Sequence, residues 1–131
     1  MTGRQPKELI PGFLSISDCC LVHLRKTGLF ETVLPSKIFE AAAMARPVVI
    51  GVGGCAAELV RDADCGICIE PENAVELADA IERLRADPDL RARLGRQGRD
   101  LLSARYDVDR LAEDYARLVE RIRGDWQARR S

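Results

Sequence analysis

Aromatic residues are scarce, with three Phe, two Tyr and one Trp in 131 residues, too few for the stacking platforms that hold single-stranded nucleic acid. An excess of charge of either sign is also missing. Twenty Lys and Arg stand against 21 Asp and Glu, a formal net charge of −1, so no electrostatic footprint for a polyanion exists. Lysine occurs only at 7, 26 and 37, which leaves arginine as the ordinary cation. No apolar run reaches the ~20 residues needed to cross a bilayer, and Met1-Thr2-Gly3-Arg4-Gln5-Pro6 lacks the apolar stretch of a secretory signal. Neither nucleic acid nor a membrane span is therefore expected, and a cytoplasmic location is.

Five cysteines, at 19, 20, 55, 65 and 68, come without a secretory signal and argue against a disulfide framework. Cys65-Gly66-Ile67-Cys68 has C-x-x-C spacing. A redox pair should place its first thiol at a helix N-terminus after a strand, whereas Gly66 reads as the turn into a strand. Only Cys19, Cys20 or His23 could complete a zinc site, and no second C-x-x-C exists. These thiols are expected to be small apolar side chains of the core.

What is present is an ordinary globular balance, 47% apolar and 31% charged, of a length that suits one domain over 1–131 with a real core. The first part alternates strand and helix signals. Pro11 opens a short helix ending near Asp18, Cys20 to Arg25 reads as a strand, and a loop from Lys26 to Leu34 leads into a helix from Pro35 to just before Pro47. Val48 to Val52 is the apolar run of a strand buried on both faces. Gly53-Gly54 break it, Cys55 to Asp64 reads as helix, and Gly66 to Glu70 as a third strand. The expectation is a partial Rossmann-like α/β domain, about three parallel strands flanked by helices, over 1–72.

From 73 to 131 the chain reads as helical. Asn73 and Glu76 form a capping box ahead of an inward stripe of Leu77, Ile81 and Leu84. Asp87-Pro88 starts the next helix, with Leu90, Leu94, Leu101 and Leu102 inward and with Gly95 and Gly98 expected to bend or split it. A last helix carries Leu111, Tyr115, Leu118 and Ile122. Arg-rich opposite faces read as solvated surface. Parallel sheets take ligands beyond the carboxyl ends of their strands, which directs attention to the loops 26–36 and 51–55.

The chemistry concentrates at the helix after Pro35. Pro35 presets φ, and the free N–H groups of the first turn attract an anion. Lys37 opposes the helix dipole there, which makes sense beside a bound anion. Glu40 lies one turn on, inside Ile38-Phe39-Glu40-Ala41-Ala42-Ala43-Met44-Ala45, where a buried carboxylate needs a partner. An anion site followed by a diol acceptor is the layout of a nucleotide's phosphate and ribose. The alternative is that Lys37 and Glu40 pair as i, i+3 neighbours on a helix surface. Gly53 and Gly54 are a candidate phosphate loop or a plain tight turn. Asp62-Ala-Asp64 and Asp107-Val-Asp109 have D-x-D spacing but fall at helix ends, where capping or solvation explains them, so no metal is expected.

Pro35 to Val49 resembles the central signature of the retaining glycosyltransferases of the group 1 (family 4) type, which have the two-domain GT-B fold. Ile16 to Val22, Gly54 to Val60, Cys65-Gly66-Ile67, Pro71-Glu72-Asn73 and Tyr106 to Tyr115 are similar to flanking segments in order. The resemblance implies the later part of the nucleotide-sugar-binding domain. In that family the second glutamate of an E-x7-E motif binds the donor ribose, and it falls on Glu40. The intervening donor contacts correspond to Glu31, Thr32, Val33, Leu34, Pro35, Ser36 and Lys37. Position 32, where the first glutamate belongs, is Thr32, a departure similar to a subgroup associated with bacterial surface-polysaccharide or glycolipid synthesis; no catalytic residue is assigned.

The same resemblance implies a UDP- or GDP-sugar substrate, no cofactor and no metal. Its acceptor, a sugar or lipid-linked sugar, would bind an N-terminal domain that this stretch does not resemble. The chain alone is expected to be inactive, with the complete enzyme peripheral to the inner membrane. Two other readings stay open: a fragment of a nucleotide-sugar epimerase, and a non-catalytic interaction or nucleotide-binding module. An exposed sheet edge would invite a homo-oligomer.

Overall fold

Val48-Val49-Ile50-Gly51 forms β2 (Val48–Gly51), and all four of its residues are buried, as an unbroken β-branched run demands of a central strand. It lies between β1 (Cys20–His23) and β3 (Gly66–Cys68), parallel to both, in the order β1-β2-β3. Register is set by Cys20 opposite Val48 and by Val48 opposite Gly66. The computed structural model describes residues 3–129. The helices are α1 (Ile10–Ile16), α2 (Ser36–Ala43), α3 (Gly54–Asp62), α4 (Ala74–Ala86), α5 (Pro88–Arg105) and α6 (Val108–Ala128). No helix of the described residues is long and apolar enough to cross a membrane.

The pleat sends alternate residues of β2 to opposite faces, and each face has its own core. Val48 and Ile50 pack with Val22, Ile38, Ala41, Val60 and Leu102. Val49 packs with Ile69, Ala80, Leu84 and Leu94. Helices thus cover both faces, the doubly wound arrangement expected from strand–helix alternation. Outer strands are short, four and three residues, a common way of limiting an open edge.

Several boundaries differ from the sequence expectation. β1 ends at His23 rather than Arg25 and β3 at Cys68 rather than Glu70, because the chain leaves the ladder to build the loops above it. Pro35 is the extended N-cap of α2, with φ −65° and ψ 129°, not its first helical residue. Gly54, expected in a loop, is the first residue of α3. Asn73 does cap α4, its Oδ1 accepting from the Val75 and Glu76 amides. Glu76, however, accepts from the Glu70 amide at 2.7 Å, tying the loop after β3 to the helix rather than closing a reciprocal box.

The long helix α5 does not split into two elements; it runs unbroken for 18 residues. Gly95 and Gly98 are buried and serve packing. A Cβ on Gly95 would meet the Ala45 carbonyl, and one on Gly98 would lie 2.9 Å from the Cys65 Cβ. Two expected inward residues face out instead, Leu101 at 51% exposure and Ile81 at 44%, since Ala80, Leu84, Leu94 and Leu102 already fill the space. Larger still is the discrepancy at α6, where every described side chain is exposed.

Cys65 is buried and Cys68 partly so, and both are free thiols. Burial, followed by the neighbouring Cys68, pushes the Cys65 thiol up from 9.0 to about 11, and burial also raises Cys68. Inert core thiols of this kind are poor nucleophiles and metal ligands.

Helix α2 ends in a Schellman motif. The Arg46 amide donates to the Ala41 carbonyl at 2.8 Å and the Ala45 amide to Ala42 at 2.9 Å. This puts Ala45 at φ 51°, the left-handed position that glycine fills without a Cβ penalty. Replacing Ala45 by Gly is expected to stabilise the fold by about 0.5–1 kcal/mol, the strain relieved less the added freedom of the unfolded chain. A denaturant midpoint that fell would contradict it.

Candidate functional site

All three strands run the same way, so their carboxyl ends open on one side of the sheet. The loops leaving them are knitted together by contacts far apart in sequence. The Glu72 amide donates to His23 Nε2 at 2.9 Å, the Lys26 amide donates to Glu72 Oε2 at 3.2 Å, and Lys26 Nζ bonds Glu70. That bond to Glu70, and then its charge, raise the Lys26 ammonium. A cleft of ≈ 200 Å³ lies above the strand ends, lined by Arg25, Lys26, Phe30, Glu31, Gly53 and Glu70 among others.

Residues Gly28–Thr32 form a 3-10 turn that comes down on the start of α3. Gly54 has φ 61°, and a Cβ there would meet the Glu31 carbonyl. The close approach that Gly54 permits is taken up by the protein's own main chain. Gly53 and Glu31 both line the cleft. Thr32 Oγ1 donates to the Leu29 carbonyl at 3.2 Å, which spends its hydroxyl on the turn. Val33 and Leu34 are exposed at 39% and 42% and lead up to Pro35.

Helix α2 has no side-chain cap. The Ile38 amide returns to the Pro35 carbonyl at 3.1 Å, and the Ser36 hydroxyl is diverted to Glu40 Oε1 at 3.2 Å. An α-helix leaves its first amides unsatisfied unless something caps them, so this end carries concentrated donor character and positive potential. Lys37 is exposed beside it. Among the described residues no ion pair joins Lys37 to Glu40, so the surface i, i+3 pairing considered for them is not formed.

Glu40 is exposed, although it stands inside an apolar run. Ile38, Ala41 and Ala42 take the buried face of α2, and the 100° turn per residue sets Glu40 outside it. It lines a groove of ≈ 520 Å³ between α1 and α2, together with Lys7, Ile10, Pro11, Leu14, Ser36, Ala43 and Met44. Past the end of α2, the Arg46 guanidinium donates to the Ser15 carbonyl of α1 at 2.6 Å.

The candidate residues therefore fall in two places. Glu31 and Gly53 are in the strand-end cleft, Ser36 and Glu40 in the α1–α2 groove, and the segment Thr32–Pro35 connects them. Sequence reasoning missed Glu70 and Glu72, because their links to Lys26 cross the sheet, and Arg25, which lines the cleft. The only signal pointing at them was their position just past a strand end. No group of three or more His, Cys, Asp or Glu residues is placed to hold a metal among the described residues.

The family described as "Glycosyl transferases group 1" matches residues 1–101. Alpha-D-kanosaminyltransferase of Streptomyces kanamyceticus is 30% identical over 122 residues, 93% of this chain and 30% of that protein. The GDP-mannose-dependent alpha-(1-6)-phosphatidylinositol monomannoside mannosyltransferase of Mycobacterium tuberculosis is 30% identical over 130 residues, 98% of this chain and 33% of that one. The chain thus spans about a third of the length of these relatives.

Solved structures agree on the fold. Sucrose-phosphate synthase from Thermosynechococcus elongatus superposes with a TM-score of 0.74 at 24% identity, over 95% of this chain and 30% of that one. The C-terminal domain of a glycosyl transferase group 1 family protein from Francisella tularensis gives 0.67 at 24% identity, over 82% of this chain and 53% of that one. With its Rossmann-like sheet, and with the family match covering most of its length, this chain belongs to the group 1 glycosyltransferases and has the fold of their C-terminal domain.

Proposed function

We propose that this chain is the donor-binding part of a retaining glycosyltransferase, taking a UDP- or GDP-sugar and serving bacterial surface-polysaccharide or glycolipid synthesis. The observation that carries the proposal is the start of α2. Uncapped amides, a lysine with no acidic partner on its own helix, and an exposed glutamate one turn later stand in a row beside a groove. The amides and Lys37 suit the diphosphate. Glu40, oriented by the Ser36 hydroxyl, suits the two hydroxyls of the ribose.

In such a reaction the bond between the anomeric carbon and the diphosphate oxygen breaks, and the acceptor hydroxyl takes its place on the same face of the sugar. Negative charge grows on the departing phosphate. Fixed donors aimed at that charge stabilise it more in the transition state than in the ground state, and this is the role assigned to Lys37 and the α2 amides. Acceptor recognition is assigned to the part of the longer relatives that this chain does not span. The relative from Mycobacterium is named for GDP-mannose, which makes GDP the first ligand to test.

Titration calorimetry of the chain with GDP and with UDP tests this reading. Binding of one of them is expected, weakened about tenfold or more by Lys37→Ala, the loss of one charge-assisted contact to phosphate. No heat with either nucleotide at millimolar concentration would overturn it.

A further inference from the structure

Among the described residues three that are not glycine have positive φ: Ala45, Asp64 and Glu72. The first two lie in the turns that end α2 and α3, where a left-handed residue closes the helix. Glu72, at φ 64°, ends no helix. It stands in the loop between β3 and α4, where glycine would take that conformation freely and a side chain takes it only if its surroundings hold it there.

Glu72 is held at two points. Its amide donates to His23 Nε2 at 2.9 Å, and its Oε2 accepts from the Lys26 amide at 3.2 Å. His23 is the last residue of β1, so a single residue beyond β3 grips the departing chain on both sides of Leu24-Arg25. The imidazole lies against Gly51 at the end of β2, where a Cβ would stand 2.6 Å from its Nδ1. The Lys26 side chain is tied in turn to Glu70.

We propose that Glu72 is a positioning residue of the donor site, clamping with His23 the loop that runs from Thr27 to Pro35. That loop has few other anchors. Its 3-10 turn buries none of its residues; Phe30 packs against the core, and Glu31 approaches Gly54. A segment so exposed keeps its shape only as well as its ends are fixed. The loop carries Glu31 into the strand-end cleft and delivers Pro35 to the start of α2, so the inference rests on the donor-site reading given above. Glutamate in place of glycine trades an easy backbone for a hold on Lys26.

Glu72→Gly separates the clamp from the turn. The variant keeps the amide that His23 accepts and gains the residue that φ 64° suits, so its melting temperature is expected to hold or rise. The Lys26 amide loses its acceptor and should exchange with deuterium about tenfold faster by NMR. Affinity for GDP or UDP, whichever the parent binds, should fall about threefold to tenfold in calorimetry. Glu72→Gln removes the charge but keeps an oxygen for the Lys26 amide, and it should stay within about twofold of the parent in both measurements. His23→Leu removes the other hold and should weaken binding as Glu72→Gly does. A Glu72→Gly chain that binds like the parent would overturn this proposal alone, and so would a Gln variant as weak as the Gly. Affinity lost together with several degrees of melting temperature would also overturn it, since a merely structural residue behaves that way. A parent chain that binds neither nucleotide would overturn the donor-site reading itself, and this inference with it.

Discussion

Glu40→Gln is expected to weaken nucleotide binding by about 10-fold to 100-fold, the ~1.5–3 kcal/mol of hydrogen bonds made to a charged group. Thermal stability should stay within a degree or two of the parent. The carboxylate is exposed, so its charge carries no burial cost to relieve. Its described contact, the Ser36 hydroxyl at 3.2 Å, is one that a glutamine oxygen can still accept. What glutamine cannot do is accept two hydroxyl protons with both oxygens while carrying a charge. Unchanged affinity in calorimetry would mean that Glu40 is an ordinary surface acid, and a lost fold would mean that its role is structural. Paired with Lys37→Ala, the substitution separates the ribose contact from the phosphate contact: deoxygenated riboses should penalise the parent chain more than the Gln variant.

The second large effect reverses the sign that helix propensity gives. Gly95→Ala in the middle of an exposed helix would stabilise by roughly 1 kcal/mol. Here it is expected to destabilise by about 2–3 kcal/mol or more, as an overpacked core position does. The added methyl would land on the Ala45 carbonyl, in the turn whose hydrogen bonds end α2, and main chain cannot swing aside as a side chain can. Since α2 also begins at the candidate donor site, the variant should lose ligand affinity in proportion to its lost packing. Urea unfolding decides the matter, and a stabilised Gly95→Ala would show that α2 and α5 do not pack this closely.

The alternation of the first 72 residues was enough to name the sheet. Val48-Val49-Ile50 is buried on both faces for the reason its composition suggested, and Asn73 and Asp87 cap the helices they precede. Boundaries were harder to read, since strands stop where partners stop. Nothing in Leu24-Arg25 or Ile69-Glu70 shows that the Leu24 and Ile69 amides make the last bonds to β2. Inside α5, local propensity pointed the wrong way, because a glycine that weakens a helix in isolation is what lets two helices meet.

At the candidate site the residue types were legible and their surroundings were not. Pro35, Lys37 and Glu40 stand out by spacing along one helix, a local property that a sequence displays directly. Whether Glu40 is buried depends on which side of α2 faces the sheet, and Ile38, Ala41 and Ala42 settle that only when packed. The union of His23 with Glu72 and of Lys26 with Glu70, 49 and 44 residues apart, belongs wholly to the tertiary structure. So does the exposure of α6: a periodic apolar stripe declares a helix that must be covered, and only the packed fold shows that its own domain leaves it open. Periodicities, caps and the order of chemical groups follow from the order of the amino acids alone, because those are set within a few bonds. Burial, pairing and the free face were decided by the tertiary structure, because they depend on residues that meet only when the chain closes on itself.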